Sequence, residues 1–163
     1  IFGMALFALF LGAGRTLYSN RGKNIMRVMT LGMFTAFICY LGGAFCSNPY
    51  ISLFFCAAVG FTTSMLWPGS LILVGEKLPS VGVTAYALLA AGGDLGASVV
   101  PQLVGILSDK VAISDFAVTH AQKFGLTAEQ FGIKSAVLVA GLFPLSGFLL
   151  LLFMKKYFRK NNM

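Results

Sequence analysis

The sequence predicts an all-α membrane protein, a bundle of helices that crosses the lipid bilayer several times. Of the 163 residues, 58% are hydrophobic and 10% are charged, whereas a soluble domain usually carries about 25% charged residues. The mean hydropathy is +0.86. Long apolar runs separated by short polar breaks are typical of transmembrane helices, so the apolar residues are expected to face lipid and one another.

Five apolar runs predict the membrane spans. The first, residues 1–13, is too short to cross a hydrocarbon core of about 30 Å at about 1.5 Å per residue. We expect it to be the end of a helix whose earlier part is missing, and residues 1–163 to be the C-terminal transmembrane half of a longer protein. About four complete spans should follow, at about 28–46, 50–74, 84–107 and 135–154.

The Lys and Arg residues predict the orientation of the spans. The break at residues 14–27 holds four of them and no acid, and four more follow the last span in residues 155–160. Four spans separate the two basic segments, so both should lie on one side, which the positive-inside rule makes cytoplasmic. We expect a multi-pass protein of the plasma or inner membrane with a cytoplasmic C-terminus. The net charge of +7 comes largely from these segments and does not indicate nucleic-acid binding.

The polar connection at residues 109–134 should lie on the outer side and contain helical turns of its own. Ser114 is suited to cap a short surface helix, and Thr127 with Gln130 has the pattern of a capping box that starts the last helix. The single histidine, His120, is expected to be a solvated residue at the membrane surface. The cysteines lack metal-ligand spacing and are expected to be small packing residues.

Asp94 is the only acidic residue inside a predicted span, and no Lys or Arg lies at its depth. A charge at that depth costs about 2.5–3.5 kcal/mol on insertion scales, so something must offset it. On a helix, Asp94 shares a small, partly polar face with Ser98, and Gln102 lies at its margin. This pattern leaves three interpretations open. Asp94 contacts solute or a coupling ion in a cavity, caps a helix loosened at Gly92-Gly93, or neutralises a basic residue in the missing part.

Two further residues are candidates for solute contact. Trp67 would place an indole beside the kink expected at Pro68, where it could stack on a ligand or pack against lipid. Thr63 could bond to solute or to its own backbone at i−4, and packing is the default expectation. Nucleophile, metal and phosphate-loop patterns do not occur, so we expect neither an enzyme nor a metal or cofactor site.

The order of these parts resembles the C-terminal half of a major facilitator superfamily transporter, from the end of its eighth helix to its twelfth. The basic segment is similar to the signature loop between helices eight and nine, and carries Ser19-Asn20 where that signature has Asp-Arg. The signature-loop candidates are Gly14, Arg15, Arg21, Gly22 and Lys23. The stretch from Ser64-Met65-Leu66-Trp67-Pro68-Gly69 through Gly92-Gly93-Asp94 to Pro101-Gln102 resembles helices ten and eleven of sugar-porter-like members, fucose permeases among them.

The resemblance implies alternating access, in which two six-helix halves rock about a site near the bilayer midplane. The expected function is therefore that of a fragment of a secondary active transporter for a small organic solute, sugar-like or another metabolite, with symport of a proton as a further option. Its partners would be membrane lipid, the solute, a proton and the missing N-terminal half. Candidate contacts are Asp94, Ser98, Gln102, Trp67 and Thr63. The alternative is a membrane-embedded interaction or scaffold subunit without transport activity.

Overall fold

The computed structural model describes residues 2–21, 24–78 and 80–160, and these residues form helices and turns without a strand. A short 3₁₀ turn, Gln122–Phe124, joins the sixth and seventh helices. The helices are α1 (Phe2–Arg21), α2 (Ile25–Phe45), α3 (Pro49–Thr63), α4 (Leu66–Lys77), α5 (Gly82–Ala112), α6 (Asp115–Ala121), α7 (Ala128–Ala140) and α8 (Leu142–Lys160). The predicted all-α class is confirmed.

Five segments of the described chain are long and apolar enough to cross a membrane, and two of them consist of two helices each. They are Phe2–Asn20, Ile25–Phe45, Pro49–Lys77, Gly82–Ala112 and Ala128–Lys160. The predicted bundle of several membrane-length helices is therefore present.

The first helix is longer than its apolar run. α1 continues through Arg15 to Arg21, and its 20 residues measure about 30 Å. Most of the break expected at residues 14–27 is therefore helical, because α1 reaches Arg21 and α2 begins at Ile25. The signature-loop candidates Gly22 and Lys23 lie outside the described residues. Arginine is a good helix former and extends its charged end away from lipid, so a fall in hydropathy does not end the helix.

The third membrane-length segment is interrupted before Pro68 and not at it. α3 ends at Thr63, Ser64 and Met65 form a turn, and Pro68 occupies the first turn of α4. The interruption follows from Pro68, because proline has no N–H to donate to the carbonyl oxygen of Ser64 four residues earlier and its ring crowds that turn. The last segment repeats this arrangement, with a turn at Gly141 and Pro144 in the first turn of α8.

The outer connection forms as its capping residues predict. The Ser114 hydroxyl accepts a hydrogen bond from the backbone N–H of Ala117 at 3.2 Å and starts α6. Thr127 and Gln130 form the reciprocal capping box at the start of α7. Gly125 has a φ of +65°, a conformation that glycine adopts without strain, and reverses the chain between the two.

Small residues bring the helices into close contact. Where α5 meets α7, a Cβ added to Gly132 would lie 3.0 Å from the Cβ of Ala112. Where α2 meets α3, a Cβ added to Gly42 would lie 2.5–2.8 Å from ring atoms of Phe55. Glycine therefore sets how closely these backbones approach, as is usual for helices that pack within lipid.

Both basic segments lie at the same end of the bundle. Ile25 at the start of α2 and Phe158 near the end of α8 belong to one buried cluster. Leu73, near the end of α4, belongs to it as well. At the opposite end, Lys134 Nζ donates to the carbonyl oxygen of Cys46 at 2.7 Å, which joins the middle of α7 to the end of α2.

Candidate functional site

Asp94 lies near the middle of α5 and is exposed. The 31 residues of α5 measure about 46 Å, and Asp94 stands about 18 Å from its first residue. No Lys or Arg occurs between Lys77 and Lys110, and Lys110 is about 24 Å further along the helix. The carboxylate therefore has no cation of its own helix within reach, although the middle of the helix is where lipid would surround it.

The interpretation of Asp94 as a helix cap is wrong. α5 runs from Gly82 to Ala112 without interruption, through Gly92, Gly93 and the internal Pro101. The backbone N–H groups that follow Asp94 belong to a continuous helix, so no helix end is present for its carboxylate to cap. Two interpretations stay predictions. In one, the carboxylate contacts a solute or a coupling ion, and in the other it neutralises a basic residue elsewhere in the protein.

The indole of Trp67 packs on Gly93, the neighbour of Asp94. A Cβ added to Gly93 would lie 2.7 Å from the indole Cζ3 and 3.5 Å from Cε3 and Cη2. Only a residue without a side chain leaves room for the ring there. Trp67 is 44% exposed, so part of the ring is still open to a ligand or to lipid. The structure therefore places Trp67 of α4 against the residue of α5 that precedes Asp94.

Ser98 and Gln102 follow Asp94 at successive intervals of four residues along α5, and all three are exposed. This spacing places them on neighbouring positions of one helix face. The Ser98 hydroxyl donates to the carbonyl oxygen of Leu95 at 3.1 Å, so its lone pairs remain available as acceptors. These three residues form what we call the Asp94 face, which offers a carboxylate, a hydroxyl and a carboxamide in a row about 12 Å long.

Thr63 uses its hydroxyl proton within its own helix. Its Oγ1 donates to the carbonyl oxygen of Val59 at 2.8 Å, and Thr62 donates to the same oxygen at 3.0 Å. The expectation of a bond to the backbone at i−4 is confirmed. A ligand could receive no proton from Thr63 without breaking that bond, so Thr63 is the weakest of the candidate contacts.

Two of the signature-loop candidates, Gly14 and Arg15, have a structural role that the sequence pattern did not indicate. Gly14 is buried against Ser64, and Arg15 Nε donates to the carbonyl oxygen of Ser64 at 3.2 Å. That oxygen would normally receive the N–H of the residue four positions later, which is Pro68 and has none. Arg15 therefore replaces a hydrogen bond that Pro68 cannot supply. The clue in the sequence was a proline within a span, which always frees one carbonyl.

Among the described residues, no group of three His, Cys, Asp or Glu side chains is placed to hold a metal ion. Cys39 is buried, Cys46 is partly exposed, Cys56 is exposed, and all three are free thiols. His120 stacks on Phe116 with ring centroids 4.1 Å apart, and its Nδ1 lies 2.9 Å from that residue's carbonyl oxygen.

Comparison with family models, with curated proteins and with solved structures finds no match to this chain.

Proposed function

We propose that the chain is the C-terminal part of a secondary active transporter that moves a small organic solute by alternating access, as its resemblance to the major facilitator superfamily implies. The observation that carries the proposal is the exposed carboxylate of Asp94 halfway along a membrane-length helix, beside the indole that packs on Gly93. Lipid would not solvate this carboxylate, and no cation of its own helix reaches it.

A water-filled path or a bound solute would solvate the carboxylate and so remove the free-energy cost of placing its charge in lipid. Ionisable residues inside membrane segments usually face such a path and mark the route of a substrate or proton. The groups available also suit a hydroxylated solute, since an aromatic ring offers an apolar face while a carboxylate and an amide bond hydroxyl groups. A sugar-like solute is therefore the first class to test. In this proposal Asp94 also carries the coupling proton.

The location follows from the charge distribution. Because both basic segments lie at one end of the bundle, we propose that this end faces the cytoplasm. The C-terminal segment would then be cytoplasmic, and the turn before Pro49 would face outward in the cell membrane. An N-terminal half of the same protein would pack against the Asp94 face and complete the transport path.

One observation favours the alternative of a membrane-embedded interaction subunit. α5 has no buried residue along its described length, so much of its surface beyond the contacts with α7 and Trp67 is open for contact with another protein. A subunit of this kind would use the small residues of α5 for close packing. It would need no solute path.

Substitution of Asp94 by Asn in the full polypeptide separates these functions. The assay is uptake of radiolabelled hexoses, L-fucose among them, into proteoliposomes with and without an inward proton gradient. If transport depends on Asp94, Asp94→Asn should reduce uptake at least tenfold at an equal amount of reconstituted protein. The proton gradient should then no longer accelerate uptake. The control, Glu76→Gln, changes an exposed acid at the end of α4 and should keep full uptake. Wild-type uptake by Asp94→Asn would remove this residue from the mechanism.

A further inference from the structure

A second site lies at the end of the bundle opposite the basic segments. A cavity of about 640 Å³ opens there between α1, α2, α3 and α7 with the turn that precedes it. Pockets for small ligands are usually about 300–1,000 Å³, so one molecule of modest size would fit. None of the candidate residues of the Asp94 face lines this cavity. The inference therefore goes beyond the proposed transport function and does not depend on it.

One corner of the cavity is polar and positively charged. The carbonyl oxygen of Cys46, where α2 ends, accepts hydrogen bonds from Lys134 Nζ at 2.7 Å and from Ser52 Oγ at 3.4 Å. Lys134 is half-buried and is the single charged side chain among the described residues that line the cavity. Gln130 and Ser47 lie on the same lining.

The cavity becomes apolar with depth. Cys39 lies seven residues before Cys46 on α2, and Val59 lies seven residues after Ser52 on α3, and both line the cavity. Seven residues of helix measure about 10 Å, so the apolar part extends roughly that far from the charged corner. Phe7 of α1 also lines it. The lining is therefore divided along its length, with a cation at one end and, at the other, a mostly apolar lining that includes the Tyr40 ring and the Cys39 thiol.

Capping of α2 accounts for only part of the role of Lys134. An ammonium near a helix C-terminus is favourable, and one of its N–H groups satisfies the Cys46 carbonyl. A lysine ammonium has two further N–H groups. The lining offers them no carboxylate, and a half-buried cation without one attracts an anion.

We propose that this cavity binds an alkyl carboxylate, with the carboxylate against Lys134 and the chain extending towards Cys39 and Val59. The charge requires an anionic head, and the apolar depth requires a chain, so neither a small anion nor a neutral alcohol satisfies both ends. The bilayer could supply the ligand as a fatty acid, or the aqueous phase could supply a shorter carboxylate.

The native thiols report binding directly, because all three cysteines line the cavity. The full chain with Cys39→Ala and Cys56→Ala retains Cys46 as the reporter and is placed in phosphatidylcholine nanodiscs. The measurement is the rate of alkylation of Cys46 by a maleimide. Octanoate added to water, or oleate mixed into the bilayer, should slow alkylation at least tenfold at saturation. Acetate and octanol at equal concentration should have little effect. No protection by either carboxylate, or equal protection by acetate or octanol, would overturn the proposal.

Substitution at the charged corner tests the role of Lys134. Loss of charge-assisted hydrogen bonds in Lys134→Gln should raise the octanoate concentration for half-protection about ten- to a hundredfold. Lys134→Arg should restore most of the affinity. Lys155→Gln, an exposed lysine at the other end of the bundle, should leave it unchanged. Wild-type protection of Lys134→Gln would contradict the assignment.

Filling the cavity gives a test that leaves Lys134 in place. Gly43 lines the cavity, and a Cβ added there makes ordinary contact at 3.7 Å with Phe55 Cβ. Gly43→Leu should abolish protection by octanoate, and Gly43→Ala should retain it. Gly12→Leu is the matched control, since nothing lies within 4 Å of a Cβ at Gly12. Full protection of Gly43→Leu would show that the chain binds elsewhere and would overturn the proposal.

Discussion

The bond between Arg15 and the carbonyl oxygen of Ser64 makes a prediction about stability that can be worked out from the structure. Ser64 is 4% exposed, and its carbonyl receives no backbone N–H from Pro68. A hydrogen bond from a charged donor contributes about 1.5–3 kcal/mol, and a buried carbonyl left without a partner costs about 1–3 kcal/mol. Because Arg15 is itself exposed, we expect Arg15→Met to lower the free energy of unfolding by about 1–2 kcal/mol. Arg27→Met, at a second exposed arginine, should change it by less than about 0.5 kcal/mol.

A double-mutant cycle with Pro68→Ala tests the cause. Alanine restores an N–H that can donate to the Ser64 carbonyl, so the same Arg15→Met change should then cost at least about 1 kcal/mol less. The assay is the loss of helical circular dichroism as sodium dodecyl sulfate is titrated into mixed micelles. If Arg15→Met costs the same in the wild-type chain and in the Pro68→Ala variant, the reasoning is refuted, because the arginine would then not be compensating for the proline.

Two glycine contacts give further predictions. Gly132→Ala should destabilise the bundle by about 1–3 kcal/mol, because its Cβ would collide with the backbone carbonyl oxygen of Ser108 and lie 3.0 Å from the Cβ of Ala112 on the facing helix. Gly105→Ala is the control, because a Cβ there meets open space, and it should be neutral or stabilise by up to about 1 kcal/mol in the same titration. Equal effects at positions 132 and 105 would contradict the close packing of α5 on α7. Gly93→Ala should shift the fluorescence of the single tryptophan, because the added Cβ displaces the indole, whereas Gly92→Ala should leave the emission unchanged. Identical spectra for the two variants would show that the indole does not pack there.

The helices and their capping residues could be predicted because local chemistry determines them. The Ser114 cap and the Thr127 capping box each depend on residues within three positions of one another, and both form. Helix ends were harder to predict. Hydropathy falls at Arg15, but α1 continues to Arg21, because backbone hydrogen bonding and not side-chain polarity decides where a helix ends.

The contacts that define the candidate sites join residues far apart in the chain, and the sequence pattern does not encode them. Lys134 and the Cys46 carbonyl are separated by 88 residues, and Arg15 and the Ser64 carbonyl by 49. The pattern could single out Asp94, because one acidic residue in an apolar run is conspicuous. The contact between the Trp67 indole and Gly93, the neighbour of Asp94, results from the packing of α4 on α5. The sequence of either helix alone does not determine that packing.

Water accessibility of the Asp94 face tests the central claim most directly. In the full polypeptide without its native cysteines, Ser98→Cys and Leu103→Cys are labelled in proteoliposomes with a membrane-impermeant, water-soluble maleimide. Ser98 lies on the Asp94 face, whereas Leu103 lies on the opposite side of α5, about 8 Å further along the helix. The account predicts rapid labelling at position 98, slowed by a transported hexose, and little labelling at position 103. Equally slow labelling of positions 98 and 103 would contradict the proposal, since the Asp94 face would then not line a path for solute.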